Sequence, residues 1–291
     1  MSPAALVYIE FVGVFILLLW AVYLPFRGGQ LYNGPFYCMA IGAYVAAYVT
    51  KTLGWPSGIG LLMAMIAGAI AGFFPALAFS KTTGIVTATA SLALIFIIQA
   101  VIRNLDFIGG AQGLWGIPKM AYLPIAVWAA VLITGLFVSR IDRSRVGRAL
   151  EAMRTDPALA STLGMNLRWL SVFVMTFASV IGAVAGAFYA FTMGTIIAEA
   201  FGFTLLLSTM TMLFIGGRYT MWGVLISAPI LWGIPQWIPP EMASYTNIIY
   251  GALLVIVLVV RPEGLVSREM MDRLTHRLRP VPRQEGELPG A

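Results

Sequence analysis

The sequence predicts an all-α fold: a polytopic integral membrane helical bundle with about nine membrane elements. Three observations carry this expectation. The 291 residues are 60% hydrophobic and only 10% charged, with mean hydropathy +0.89, far more apolar than a soluble domain of this length needs. The apolar residues run in blocks of bilayer-crossing length, separated by short polar or Gly/Pro-containing turns. The cations are also unevenly placed. With alternating spans, Arg27, Lys81, Arg140, Arg143, Arg145, Arg148, Arg154, Arg168, Arg218, Arg261 and the arginines at 268, 273, 277, 279 and 283 fall on one side, and Lys51, Arg103 and Lys119 on the other. Fifteen against three is the bias expected of cytoplasmic and external loops. It predicts an external N-terminus and a cytoplasmic C-terminus, with residue 154 inside and residue 243 outside, and it assigns the net charge of +6 to membrane orientation rather than to nucleic-acid binding.

In chain order, the first span is 4–25, too long for a secretory signal and lacking a basic start and a small-residue cleavage site. Glu10 lies inside it, where a carboxylate must face protein or water, or reach the nearby interface. The turn Arg27-Gly28-Gly29 leads to a second span, 34–50, whose start at Asn33-Gly34-Pro35 breaks a helix at the membrane edge. The third span, 58–79, carries Gly68 and Gly72 at the spacing of close helix packing. The fourth, 84–102, has an unusual polar inventory: Thr87, Thr89, Ser91 and Gln99. The glycine-rich run 109–118 lacks the Gly-Lys-Ser/Thr of a phosphate loop. The fifth span is 121–138 and the sixth 169–190, with Gly182 and Gly186 again at packing spacing. Residues 203–215 are short for a full span and suggest a half-helix or tilted element. Spans at 221–238 and 246–260 complete the membrane domain, residues 1–266. The charged tail, 267–291, is expected to be cytoplasmic and disordered over its last ten residues.

Between the fifth and sixth spans lies the one long polar insertion, 140–168, which holds six of the 18 Lys/Arg. Its pattern is that of folded structure. Val146, Leu150 and Met153 recur at i, i+4 and i+7, one apolar stripe on a helix otherwise coated with charge. Asp156 suits the N-cap of a second short helix, Pro157 its first turn and Gly164 a left-handed end. Two uses fit: an amphipathic segment lying on anionic lipid, or a surface presented to a partner. In the second use the three apolar side chains are expected to fill a partner's groove, with Arg145, Arg148 and Glu151 at the rim.

Catalytic and metal chemistry find no support. One cysteine, Cys38, excludes an internal disulfide, and one histidine, His276, excludes a His-based metal cluster or triad. The chain carries no Walker A motif, no catalytic residue set and no cofactor fingerprint. Glu10 is the one clear carboxylate within the spans, too few for a relay of several proton carriers. The sequence therefore predicts a passage for a small molecule that another protein drives. Asn33, Ser91 and Gln99, a broken helix start beside a polar-striped span, are its candidate pathway residues; the competing use of these groups is interhelical or backbone hydrogen bonding.

Five motifs, in order, resemble the permease subunits of branched-chain amino acid ABC importers, and the M-type permease of that pair more than the H-type. Gly28-Gly29-Gln30-Leu31 through Gly42-Ala43-Tyr44 resembles GGxLSLGHAAFFGIGAY. Gly109-Gly110-Ala111-Gln112-Gly113-Leu114 with Gly116-Ile117-Pro118 resembles TGGxxGLxGIP. Gly147-Arg148-Ala149-Leu150 through Leu163-Gly164-Met165-Asn166 resembles GRALRAIRxxExxAxxLGIN. Ala185-Gly186-Ala187-Phe188-Tyr189-Ala190 is followed by Gly216-Gly217 and Trp222-Gly223, and Arg261-Pro262-Glu263-Gly264-Leu265 closes the set. The resemblance runs from about residue 20 to residue 265. It implies a bacterial inner-membrane importer in which this chain pairs with an H-type permease, separate cytoplasmic ATPase subunits bind the 140–168 segment, and an external binding protein delivers substrate. Val146, Leu150, Met153, Arg145, Arg148, Glu151 and Gly164 then become coupling residues.

The chain departs from the pattern at Tyr32-Asn33-Gly34-Pro35, where relatives often have Ser-Leu-Gly-His, and at Phe96, often Glu or Gln. The fold expectation survives these departures. The substrate stays open between branched-chain or related amino acids and urea or short amides. Two other classes compete. A self-sufficient secondary transporter is disfavoured by the folded insertion and the few buried ionisable groups, and a membrane enzyme by the missing catalytic set.

Overall fold

The computed structural model describes residues 3–82, 84–120, 122–162, 164–217 and 221–237, together with residue 255. Its helices are α1 (Pro3–Arg27), α2 (Gly34–Lys51), α3 (Ser57–Phe79), α4 (Gly84–Arg103), α5 (Leu123–Arg143), α6 (Arg145–Thr155), α7 (Pro157–Thr162), α8 (Leu167–Met193), α9 (Phe203–Gly216) and α10 (Gly223–Trp237), with one two-stranded ribbon, β1 (Leu114–Trp115) and β2 (Thr195–Ile196). Among the described residues, 6 helical segments are long and apolar enough to cross a membrane, so the chain is a multi-pass helical membrane protein. That number stands below the expected nine. The 246–260 span, apart from residue 255, and the 267–291 tail lie outside the described residues, α10 is a shorter apolar helix, and α2 is a different kind of element.

α2 is the helix at the centre. Fourteen of its 18 residues are buried, and α3 and α8 pack along it. Tyr37, Tyr44, Tyr48 and Thr50 dilute its apolar character. A helix enclosed by protein can carry such groups: the Tyr37 hydroxyl lies 2.8 Å from the Tyr32 hydroxyl, and Thr50 Oγ1 donates to the Ala46 carbonyl at 2.8 Å. α1 is likewise enclosed, from Glu10 to Phe26. α3 shows the opposite asymmetry. Its small stripe Gly60, Ala64, Gly68, Gly72 and Ala76 is buried, while Leu62, Ile66, Ile70 and Phe74 on its other side are 54–66% exposed, as suits hydrocarbon.

Small residues set the central contacts, as their spacing predicts. A Cβ at Gly68 would lie 2.3 Å from the Ala183 Cβ, and one at Gly72 would lie 2.3 Å from the Ser179 Cβ. A Cβ at Gly182 would lie 2.5 Å from the Pro35 carbonyl oxygen. With little hydrophobic force between helices in lipid, such close backbone approach is where dispersion and polar contacts hold them together. A buried hydroxyl cluster adds to it: the Tyr32 hydroxyl lies 2.8 Å from the Tyr37 hydroxyl and 3.0 Å from the Ser179 Oγ.

The two ends of the bundle differ. One pole joins the segment 103–117 to 194–202. β1 and β2 pair antiparallel, Leu114 opposite Ile196 and Trp115 opposite Thr195. The Ile117 N–H donates to the Gly194 carbonyl at 2.9 Å, and Arg103 Nε lies 2.9 Å from the Glu199 carboxylate. The glycine-rich run thus serves a clasp: Gly113 has φ +76°, and a Cβ there would lie 2.2 Å from the Ile196 carbonyl oxygen. The opposite pole gathers the end of α1, the α3–α4 turn, α6, α7 and the start of α8.

Candidate coupling surface

The arginine-rich pole is built on a sharp fold-back. α5 ends at Arg143 and α6 starts at Arg145, with only Ser144 between them. Ser144 is extended, and its Oγ accepts from the Val146 N–H at 3.1 Å, an N-cap that satisfies a free helix donor. Gly147 permits the approach: a Cβ there would lie 2.5 Å from the carbonyl oxygens of both Ile141 and Asp142. α7 follows directly at Pro157, and the Asp156 carbonyl accepts from the Ala160 N–H at 3.0 Å. Gly164 has φ +78°, and a Cβ there would meet nothing within 4 Å, so backbone conformation alone, not space, favours glycine at this position.

The stripe on α6 faces inward, which corrects its expected role. Leu150 is 0% and Met153 7% exposed, both within the main hydrophobic core, and Val146 packs against that core. These side chains therefore fill the permease itself and are not free to enter a partner's groove. The physical reason is proximity: the one-residue link after α5 lets an 11-residue amphipathic helix bury its apolar face on its own bundle. Glu151 also turns back, 4.0 Å from Arg27 and 3.9 Å from Arg154. Arg145 and Arg148 point outward and are exposed, as are Thr155, Asp156, Pro157, Ser161 and Arg168.

Beneath α6 sits a partly buried charge cluster that sequence reading missed. Arg27, at the end of α1, pairs with Asp142 at the end of α5; the two side chains are 11% and 13% exposed. The Tyr23 hydroxyl donates to Asp142 at 3.0 Å and accepts from Arg27 at 3.0 Å. One signal was available: Asp142 is the only acid between Arg140 and Leu150.

The three candidate pathway residues do not form one site. Asn33 and Ser91 meet: the Asn33 N–H donates to Ser91 Oγ at 3.1 Å, and Asn33 Nδ2 donates to the Ala88 carbonyl at 3.2 Å. Gln99 lies two turns further along α4, where its Nε2 donates to the Ala198 carbonyl at 2.9 Å. All three are buried, and these contacts are the interhelical use of such groups. A cavity of about 290 Å³ opens between α2 and α4 instead, beside Ile41, Tyr44, Tyr48, Ile98 and Phe107.

The chain is thus a helical membrane bundle with a folded, arginine-rich appendage on one pole. The family model described as "Branched-chain amino acid transport system / permease component" matches residues 34–258, and the chain belongs to that family. It is similar to the high-affinity branched-chain amino acid transport system permease protein LivM of Escherichia coli K12, 24% identical over 267 residues, covering 80% of this chain and 62% of that protein. A probable LivM of Methanocaldococcus jannaschii is 27% identical over 243 residues, covering 73% of this chain and 70% of its own. The permease LivH of Escherichia coli K12 is 31% identical over 162 residues, 53% of this chain and 49% of that one. The M-type resemblance is thus the broader one. The chain spans 62% of the length of the Escherichia coli LivM.

Proposed function

We propose that this chain is the M-type permease subunit of an inner-membrane ABC importer for branched-chain or related amino acids. It pairs with a LivH-type permease, receives substrate from an external binding protein, and is driven by separate ATPase subunits that dock on α6 and α7. The observation that carries the coupling assignment is the build of the arginine-rich pole. α6 is locked to the bundle by Leu150 and Met153 while Arg145 and Arg148 stand exposed on its outer side. A segment built only to lie on lipid would turn its apolar face outward, toward the bilayer. Here that face is consumed, and a polar, cationic face remains for a protein partner. In this arrangement the pole is cytoplasmic, the N-terminus external and the C-terminus cytoplasmic, in keeping with the cation bias.

The test has two arms. Cysteine replaces Arg148 or Gln112, both exposed and at opposite poles, in a Cys38→Ser background. Membrane-impermeant thiol reagent should label position 112 but not position 148 in intact cells; the reverse pattern overturns the orientation. The tagged chain should copurify with ATPase subunits and a second permease, and reconstituted complex should take up leucine or isoleucine from loaded binding protein. A chain that transports alone is a secondary transporter, and uptake of urea or acetamide in place of the amino acids moves the substrate class.

A further inference from the structure

Resting on the importer reading above, we infer that the turn Arg27–Gln30 is the receiver of the coupling motion, the element through which movement of α6 reaches the central helix α2. The turn is held by contacts to α5, α6 and α8. Arg27 is tied to Asp142 on α5 and faces Glu151 on α6. Gly28 lies directly under α6: a Cβ there would sit 2.8 Å from Met153 Cε and 3.0 Å from Leu150 Cδ2. At Gly29, φ is +74° and a Cβ would sit 3.1 Å from Arg154 Cγ. Gln30 Nε2 donates to Ser171 Oγ near the start of α8, and that hydroxyl also lies 3.7 Å from Met153 Sδ. The turn itself is closed by hydrogen bonds from the Gly28 and Gln30 N–H groups to the Pro25 carbonyl, each 3.0 Å.

The other end of this short segment is equally fixed. Three residues after Gln30, Asn33 is bonded through both its N–H and its Nδ2 to α4, and α2 begins at Gly34. A contact this close cannot take up displacement by compression, because packed interiors shift between discrete arrangements rather than deform smoothly. An ångström-scale movement of α6 must therefore carry Gly28 and Gly29 with it, and the turn passes that movement to the N-terminus of α2 along its seam with α4. Leu150 and Met153 serve as the teeth of this linkage, which gives their inward burial a mechanical use. Arg27, Gly28 and Gly29 are positioning residues: they touch no nucleotide and need touch no substrate.

The test uses the assembled importer in proteoliposomes. Gly28 is not at positive φ, so a side chain there is opposed by α6 and not by the backbone. Gly28→Leu should wedge α6 off the turn. ATPase subunits should still copurify, because Gly28 is buried beneath α6, while uptake per ATP hydrolysed falls on the order of tenfold. The loss should appear in kcat, with the apparent KM for loaded binding protein unchanged. Adding Met153→Ala, which empties the space the new side chain needs, should recover most of it. Gly28→Ala is the milder companion and displaces chiefly the flexible end of Met153. Wild-type uptake per ATP in either variant that reaches the membrane, a loss borne by KM, or no recovery with Met153→Ala overturns the linkage, as does failure of both variants to insert, which would make the turn a folding element only. Failure of the wild-type chain to copurify ATPase subunits strikes the importer reading instead.

Discussion

Gly186 on α8 meets Met39 on α2 backbone to backbone: a Cβ on Gly186 would lie 1.9 Å from the Met39 carbonyl oxygen and 2.7 Å from its carbon. No rotamer change relieves such a clash, because the obstructing atoms are main chain. The two helices must separate or α2 must bend, and fourteen of the 18 residues of α2 are already buried.

Gly186→Val should therefore prevent stable assembly of the central helices. The expected cost exceeds the roughly 1–3 kcal/mol typical of an overpacked core, since the neighbour here is backbone. Gly58, where a Cβ meets nothing within 4 Å, supplies the control: Gly58→Ala should be neutral. Size-exclusion profiles and thermal melting in detergent distinguish the two, and a monodisperse Gly186→Val with a wild-type Tm would refute the contact.

The Arg27–Asp142 pair makes a second forecast. Both side chains are nearly buried, and Tyr23 bonds to each. Removing one partner of a buried pair strands the other charge, at a cost of about 3–5 kcal/mol; the residual exposure places this pair near the lower end. Asp142→Asn and Arg27→Gln should each lower the Tm, and the double variant should be no worse than either single one. Additive losses in that double-mutant cycle would mean that the two groups act independently.

The third forecast separates the two faces of α6. Leu150→Asp places a carboxylate in the core, so α6 should detach and the arginines around it should become open to trypsin. Loss of the buried leucine alone is worth roughly 1.5–3 kcal/mol. Arg145→Glu with Arg148→Glu should leave the remaining arginines around α6 as protected from trypsin as in the wild type, and the Tm unchanged, but weaken ATPase copurification, more so at low salt, because exposed charges act through screened electrostatics. If the double charge reversal retains ATPase subunits at wild-type yield at every salt concentration, the outer face of α6 is not their docking surface.

Composition, span lengths and the clustering of small residues suffice for an all-α membrane bundle, and the reason is physical. The bilayer demands apolar helices of set length, and lipid offers no force to hold helices together unless their backbones come close. Gly68, Gly72, Gly182 and Gly186 could thus be read as packing positions before any coordinates. The 140–168 insertion was likewise legible as two short helices, because Pro157, Gly164 and the Val146–Leu150–Met153 stripe are local signals. What periodicity could not decide was which neighbour that stripe meets. An amphipathic helix shows that it has a buried face, not whose surface covers it. The answer depends on the one-residue link at Ser144, the bare Gly147 and the gap that Gly28 leaves beneath α6, which come together only in three dimensions. The same holds for Asn33, Ser91 and Gln99. Their polarity was visible in the chain, but only tertiary structure showed that Asn33 and Ser91 bind each other across the α2–α4 seam while Gln99 secures the opposite pole. Arg27 and Asp142, 115 residues apart, met by the same route: their charges were plain in the sequence, and their pairing was a consequence of where α1 and α5 end.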